Sequence, residues 1–164
     1  MYRYLGKIVN THGIKGELRI ISDFDKKNLV FKPSFSIYIG EKFQKEIIET
    51  YRPHKNFDMI TLKGYQNINE VLKYVNKPVY IKREDLILQD GEYLLEELID
   101  CTIVLEKEKI GKIVEIVYNK ANILLKVNSN LGKNFYIPYQ KEFIEKVNIQ
   151  KKQVIVQNIQ GLII

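Results

Sequence analysis

Short runs of β-branched and aromatic residues recur along the whole sequence, and polar turns separate them. Isoleucine, valine, tyrosine and phenylalanine favour pleated surfaces, so runs of this kind predict strands. In the first half the pattern predicts six strands, at residues 4–9, 17–22, 36–39, 45–52, 59–63 and 79–82. In the second half it predicts five more, at residues 102–105, 112–117, 123–127, 135–138 and 153–157. The sequence therefore predicts an all-β fold.

One segment, NINEVLKYV, carries a helical pattern instead. Asn67 can cap a helix with Glu70 three residues later, and Pro78 helps to end it. The apolar residues recur at the spacing of one helix face: Ile68, Val71, Leu72 and Val75. Six strands with one short helix before the last strand predict a small β-barrel.

The charges are divided unevenly between the two halves. Residues 1–88 contain 16 basic and 10 acidic side chains, whereas residues 89–164 contain 10 of each. The clearest turn signal between the halves is Gln89-Asp90-Gly91. These features predict two domains, an N-terminal β-barrel at residues 1–86 and a C-terminal β-barrel at residues 91–164.

The positive surplus of the first half suits an anionic partner. Basic surfaces attract nucleic acid through long-range electrostatics and release of counterions from the phosphates. Ordinary solubility charge in a lysine-rich protein explains the same surplus equally well. The charge pattern alone therefore leaves both interpretations open.

Several classes of protein are disfavoured. Cys101 is the only cysteine, so the chain forms no internal disulfide, and no apolar run approaches the roughly 20 residues of a membrane span. The N-terminus lacks a signal-peptide core, so we expect a cytoplasmic protein without a membrane association. His12 and His54 lie in different segments, and neither a nucleophile elbow nor a phosphate-binding glycine motif is present. We expect no catalytic residue, no metal and no cofactor.

The stretch NTHGIKGEL, residues 10–18, is the most distinctive local feature. Gly13 and Gly16 permit positive φ and close approach of the backbone. Between them we expect Ile14 to point inward and Lys15 to face outward. The segment is then a hairpin whose tip offers His12 and Lys15 to a partner, although a plain turn with incidental polar residues would have the same sequence.

Several motifs follow one another along the chain: GKIVNTHGIKGEL, SDFD, YRPHKNFDMITLKGYQNINEV, GEYLLEELID, IGKIVEIVYNKANILLKV, YIPY and the terminal QGLI. In sequence and in order they resemble the RimM family of bacterial 16S rRNA processing factors. The resemblance extends over nearly the whole chain. It implies a six-stranded N-terminal barrel related to those of translation factors and a C-terminal PRC-type barrel. It also implies a non-enzymatic assembly factor that acts on the head of the small (30S) ribosomal subunit.

The sequence departs from the family pattern at the domain junction. Where the family usually has two adjacent aromatic residues, this chain has Tyr93 followed by Leu94. Where a glycine commonly follows the Leu-Ile of the same motif, Asp100 is present. Aspartate tolerates positive φ better than most residues but less well than glycine.

The expected partners are the precursor of the small subunit, its 16S rRNA and, by the resemblance, the nineteenth small-subunit ribosomal protein, with the factor itself a monomer. We expect basic side chains of the first barrel to neutralise rRNA phosphates: Lys7, Lys15, Arg19, Arg52 and Lys55. We expect Tyr93 and Leu94 to contact the ribosomal protein, with burial between the domains as the alternative.

Two other functions fit the residues less well. One is an RNA-modifying or RNA-cleaving enzyme in which a β-barrel delivers the substrate and His12 is the general base. The other is a plain RNA-binding module that stacks bases on some of the 18 phenylalanine and tyrosine side chains. The partner-binding residues that we predict are Tyr93, Leu94, His12, Lys15 and Arg19.

Overall fold

The computed structural model describes residues 1–119 and 121–163. Most of its regular structure is β-strand, and the predicted all-β fold is confirmed. The chain divides into two compact units, Met1–Ile87 and Leu88–Ile164. Each unit has its own sheet.

The first unit is a closed barrel with the strand order β1-β2-β5-β4-β3-β6. The elements run β1 (Tyr2–His12), β2 (Glu17–Ile21), α1 (Lys27–Val30), β3 (Ser36–Ile39), β4 (Gln44–His54), β5 (Phe57–Leu62), α2 (Ile68–Val71) and β6 (Pro78–Lys82). The six predicted strands are present, and β1 and β4 extend further toward their turns than their apolar patterns indicate. The single helical turn α1 was not predicted, because no side-chain cap marks its start.

The interior of this barrel contains the alternate residues of its strands. On β2, for example, Leu18 and Ile20 are buried while Ile21 is exposed. β1 pairs with β2 on one side and with β6 on the other. The first and the last strand of the barrel are therefore neighbours in its wall. Burial of these apolar side chains is the main stabilising contribution.

Two carboxylates are also buried in this unit, and their partners are tyrosine hydroxyls and one lysine. Asp58 is 3% exposed, accepts a hydrogen bond from the Tyr51 hydroxyl at 2.7 Å and pairs with Lys27 Nζ at 2.8 Å. Burial and this hydrogen bond raise the pKa of Tyr51 to about 12. Glu46 accepts hydrogen bonds from two tyrosine hydroxyls. Neither carboxylate is therefore left without the partners that a buried charge requires.

The predicted helix cap is present, but the helix is shorter than its pattern. The Asn67 side chain accepts a hydrogen bond from the Glu70 N–H at 3.3 Å, and Glu70 accepts one from the Gln66 N–H at 2.9 Å. After Val71 the chain tightens into a 3₁₀ turn at Leu72–Tyr74. Because of this change in winding, Leu72 is 51% exposed, and its predicted place on the apolar face is wrong.

The second unit is a six-stranded sheet with the order β10-β9-β8-β7-β12-β11. A 3₁₀ turn at Leu95–Leu98 precedes β7 (Thr102–Leu105), β8 (Glu108–Tyr118), β9 (Ile123–Ser129), β10 (Phe135–Pro138), β11 (Ile144–Asn148) and β12 (Gln153–Val156), and a second one at Gln160–Leu162 follows. β12 pairs with β7 in parallel, and the other neighbours are antiparallel. β11 was not among the predicted strands, because two charged residues interrupt its apolar positions.

The core of the second unit is formed by its strands and by the turn before β7. Leu95 and Leu98 of that turn are buried beside Cys101. Burial raises the pKa of the Cys101 thiol. This cysteine is therefore a core residue and not a reactive one.

Candidate functional site

The turn between β1 and β2, residues 13–16, depends on its two glycines. Gly13 and Gly16 have φ values of +75° and +86°, as the sequence predicts. A Cβ atom on Gly16 would lie 2.9 Å from the carbonyl oxygen of Asn67, whereas one on Gly13 would meet nothing within 4 Å. Gly16 is therefore required both for its backbone conformation and for close approach to the start of α2.

The tip of this turn points outward. The Ile68 N–H donates to the Ile14 carbonyl at 2.9 Å, so the backbone of the turn is tied to α2. The Ile14 side chain is nevertheless 82% exposed, and the expectation that it points inward is wrong. The turn approaches α2 through its backbone, at the Ile14 carbonyl and at Gly16, and not through the Ile14 side chain. Lys15 is exposed, as expected.

Arg19 lies beside this turn and is held from two sides. Its Nη2 is 2.8 Å from Nδ1 of His12, and its guanidinium lies 5.6 Å from the centre of the Phe57 ring. Because a guanidinium only donates hydrogen bonds, Nδ1 of His12 accepts this one and the ring proton of a neutral His12 is on Nε2. Strand pairing explains the arrangement, since β2 pairs with both β1 and β5.

A second arginine on the same wall is paired internally. Arg52 donates to both carboxylate oxygens of Glu17, at 2.9 and 2.7 Å. This hydrogen bonding holds the pKa of Glu17 below its ordinary value, and the nearby His12 and His54 act in the same direction. The predicted role of Arg52 as a phosphate contact is weakened, because an arginine that already has a bidentate carboxylate partner contributes little net positive charge.

We call His12, Lys15, Arg19 and His54 the basic cluster. The rings of His12 and His54 are 6.4 Å apart, although the two residues come from β1 and β4. Lys55 is exposed at the turn between β4 and β5, with φ of +55°, while Lys7 is exposed near the middle of β1. The cluster thus places several cationic or hydrogen-bonding groups on the part of the barrel made by β1, β2 and β4, with Lys15 at the tip of the β1–β2 turn, which suits an anionic surface such as a phosphate backbone.

His54 and Phe57 were not predicted as site residues. They face each other across the turn between β4 and β5, where His54 pairs with Phe57 in the strand register. The only signal in the sequence was their position on either side of the polar pair Lys55-Asn56. Their approach to His12 and Arg19 depends on the pairing of β2 with β5 and of β5 with β4.

At the domain junction, Tyr93 lines a cleft of the second unit. Tyr93 is half-buried against the second core, and its hydroxyl is hydrogen-bonded to that of Tyr139. The cleft has a volume of about 470 Å³, and its walls include Gly91, Ile144 and Val147. Tyr139 was not predicted, because its sequence context, YIPY, indicates only the end of a strand.

Leu94 has a different environment from its neighbour. Its side chain is fully buried, with 0% exposure. Its N–H donates to Oε1 of Glu97 at 2.8 Å, and the Glu97 N–H donates back to the Leu94 carbonyl at 2.9 Å. We expected Leu94 to contact a partner, but a fully buried side chain offers no surface for such a contact. Its burial favours a packing role instead.

The acidic residues around Tyr93 are engaged within the chain. Oε1 of Glu92 accepts a hydrogen bond from the Gln89 N–H at 3.0 Å, and Glu97 caps the turn that follows Leu94. Asp100 has φ of +71°, so the left-handed conformation that glycine favours is present at this position. Its N–H donates to the Ile113 carbonyl at 2.8 Å, which ties the junction to β8.

Among residues 1–119 and 121–163, no group of histidine, cysteine and carboxylate side chains is arranged to hold a metal ion. Within the same residues, no helix has both the length and the apolar character that a membrane crossing requires.

Comparisons with known proteins identify both units. The model of the RimM N-terminal domain matches residues 4–86, and the model of the RimM PRC barrel domain matches residues 95–162. A ribosome maturation factor RimM from Bacillus cytotoxicus is 38% identical over 97% of this chain and 96% of its own length. The factor of the same name from Bacillus mycoides is 37% identical over the same shares of the two chains.

Two solved structures are also similar. One is a crystal structure from Pseudomonas aeruginosa described as a 16S ribosomal RNA processing protein RimM, with 18% identity, a TM-score of 0.43, and coverage of 96% of this chain and 97% of that one. The other is a solution structure of the N-terminal domain of RimM from Thermus thermophilus, with 18% identity, a TM-score of 0.46, and coverage of 53% and 95%. On the family models and the nearly full-length relatives, this chain belongs to the ribosome maturation factor RimM family.

Proposed function

We propose that this protein is a non-enzymatic assembly factor for the small (30S) ribosomal subunit. It acts in the cytoplasm as a monomer, assists 16S rRNA processing and helps the head of the subunit to mature. Membership of the ribosome maturation factor family is the observation that carries the proposal. The N-terminal domain, at residues 1–86, binds RNA, and the C-terminal domain, at residues 91–164, binds a protein.

The N-terminal domain contacts precursor 16S rRNA through the basic cluster. Lys15 is exposed at the tip of a backbone-anchored turn, and Arg19 is held in place by His12 and Phe57. A guanidinium that is already held in place loses little conformational entropy when it meets a phosphate. His12 orients Arg19, and since its Nδ1 is occupied by that contact, it is poorly placed as a general base.

The C-terminal domain contacts the nineteenth small-subunit ribosomal protein through the cleft beside Tyr93. A half-buried tyrosine that is fixed by a second tyrosine offers a rigid ring with one polar end. Tyrosines of this kind are common anchors of protein interfaces. Leu94 supports the cleft from within because it is fully buried.

Sedimentation of cell extracts tests this function. The wild-type protein should co-sediment with precursor small subunits and not with mature ones, and the purified protein should bind the isolated ribosomal protein without RNA. Arg19→Glu should reduce the association severalfold, whereas Lys133→Glu, the same charge change at an exposed lysine of the second unit, should not.

An enzyme would behave differently in the same experiments. It would alter isolated precursor RNA when present in substoichiometric amounts, without any ribosomal protein. Such turnover, or the absence of any association with precursor subunits, would contradict the proposed function.

A further inference from the structure

Five aromatic side chains form one group on the wall of the first barrel, on the side made by β1, β6 and β3. In the strand register Tyr4 pairs with Tyr80, and Tyr80 also pairs with Tyr38. Phe43 joins them from the turn between β3 and β4, where its φ is +52°. We call this group the aromatic patch: Tyr2, Tyr4, Tyr38, Phe43 and Tyr80.

The rings of the patch hold one another in place. Tyr2 and Phe43 are stacked, with centres 4.0 Å apart and planes 11° from parallel. Tyr2 also meets Tyr38 edge-on at 5.2 Å, and Phe43 lies 5.0 Å from Tyr80. Such contacts fix the ring orientations before any ligand arrives.

Part of this rigid group remains open to solvent. Tyr4 is 54% exposed and Tyr2 is 37% exposed, although large aromatic side chains are usually more deeply buried. Tyr4 meets its nearest ring, that of Tyr80, edge-on at 6.0 Å. The patch is therefore preorganised and incompletely covered.

Lysine side chains accompany the rings. Nζ of Lys82 lies 5.7 Å from the centre of the Tyr2 ring and 5.0 Å from that of Tyr38, within cation–π distance. Lys45 is exposed and pairs with Tyr38 across β3 and β4. Burial and the neighbouring Tyr80 and Asp23 raise the pKa of the Tyr4 phenol, so this ring remains neutral.

We propose that the aromatic patch is a stacking platform for unpaired bases of RNA. Aromatic rings bind bases face to face, and adjacent lysines neutralise the phosphates between them. A protein partner fits less well, since lysine is depleted from the centres of protein interfaces. The patch begins at the opposite end of β1 from the basic cluster, so it provides a second contact with the same molecule. This inference rests on the proposed function and assigns its RNA ligand a single-stranded form.

The stacking platform can be tested by titrating the protein into a fluorescently labelled 12-nucleotide single-stranded RNA. Fluorescence anisotropy at physiological salt measures the binding. Tyr4→Leu keeps an apolar side chain but removes the ring, and we expect roughly 5- to 100-fold weaker binding. Tyr4→Phe, which keeps the ring, should retain most of the affinity. Tyr136→Leu is the matched control, because Tyr136 is a 45% exposed tyrosine of the second unit.

A second variant and a second ligand guard against a folding defect. Lys82→Gln leaves all the rings in place and should weaken binding while making its logarithmic dependence on salt shallower by about one unit. A duplex RNA of the same length should discriminate much less between wild type and Tyr4→Leu, because its bases are already stacked. Circular dichroism confirms that each variant is folded.

The outcomes separate this inference from the proposed function. Equal affinities of wild type and Tyr4→Leu for the single strand would overturn the platform. A loss confined to titrations with the isolated ribosomal protein would also overturn it, because the patch would then be a protein-docking surface. If wild type co-sediments with precursor subunits but does not bind the oligonucleotide, the platform is wrong and the proposed function stands. If it does neither, the proposed function fails.

Discussion

The β1–β2 turn allows one substitution to be made at two positions that differ mainly in the space around them. Alanine at a positive φ costs about 1–2 kcal/mol, and the loss of glycine's freedom in the unfolded chain offsets about 0.4–1 kcal/mol of this. Gly13→Ala should therefore destabilise the first unit by about 1 kcal/mol or less, since nothing lies within 4 Å of its new Cβ. Gly16→Ala carries the same backbone cost.

At Gly16 a second cost is added. The new Cβ would lie 2.9 Å from a backbone oxygen of Asn67 and 3.4 Å from Val71, so either the turn or the start of α2 must move. Overpacking of this kind costs about 1–3 kcal/mol. We therefore expect a total of roughly 1–4 kcal/mol, which lowers the melting temperature of a domain of this size by about 4–8 °C for each kcal/mol.

Differential scanning calorimetry of the full chain measures both variants under the same conditions. Hydrogen exchange of peptides from β1 and β2 assigns the affected transition to the first unit. The contact with α2 is measured by the difference in destabilisation between the two glycine substitutions, and not by either value alone. Equal destabilisation by the two substitutions, or a larger effect of Gly13→Ala, would show that contact with α2 does not constrain the turn.

Lys15→Glu should weaken co-sedimentation with precursor small subunits while changing stability by under roughly 0.5 kcal/mol, and unchanged association at physiological salt would contradict the RNA assignment. Arg19→Glu should weaken association further but also lower the melting temperature, because its guanidinium packs on a ring. Glu17→Gln should reduce stability slightly at pH 7 and progressively less as the pH falls below 4.5, because a carboxylate with a lowered pKa contributes stability that is lost as pH falls through its folded pKa; a destabilisation that is the same at every pH would refute this. Leu94→Ala should cost about 2–5 kcal/mol of stability, whereas Tyr93→Ala should mainly weaken titration with the ribosomal protein; the reverse pattern would exchange their roles.

Local features of the fold were predictable from the sequence because local interactions fix them. The conformation of Gly13 and Gly16 follows from the demands of a tight turn, and the cap formed by Asn67 follows from its spacing to Glu70. Strand positions follow from runs of residues that suit a pleated surface. The order of the family motifs likewise indicates the family from the sequence alone.

Elements with mixed local signals were not predictable in this way. β11 has two charged residues among its apolar ones, and only pairing with β12 makes it a strand. Leu72 has the spacing of a buried helix residue, but the helix ends before it and leaves it exposed. In both cases tertiary contacts override the local preference, because they contribute more free energy than the intrinsic propensity of the residues does.

The composition of the candidate sites was decided by the tertiary structure. The sequence supplied Arg19 and His12 as neighbours of one turn, but His54 and Phe57 reach them only because β2 pairs with β5 and β5 pairs with β4. The aromatic patch likewise requires β6 to lie between β1 and β3. Alternation along a strand shows which residues share a face, but the choice of neighbouring strands depends on closing the barrel around its whole core. For that reason the sequence by itself determined the family and the turns, and the closed barrel determined which side chains meet.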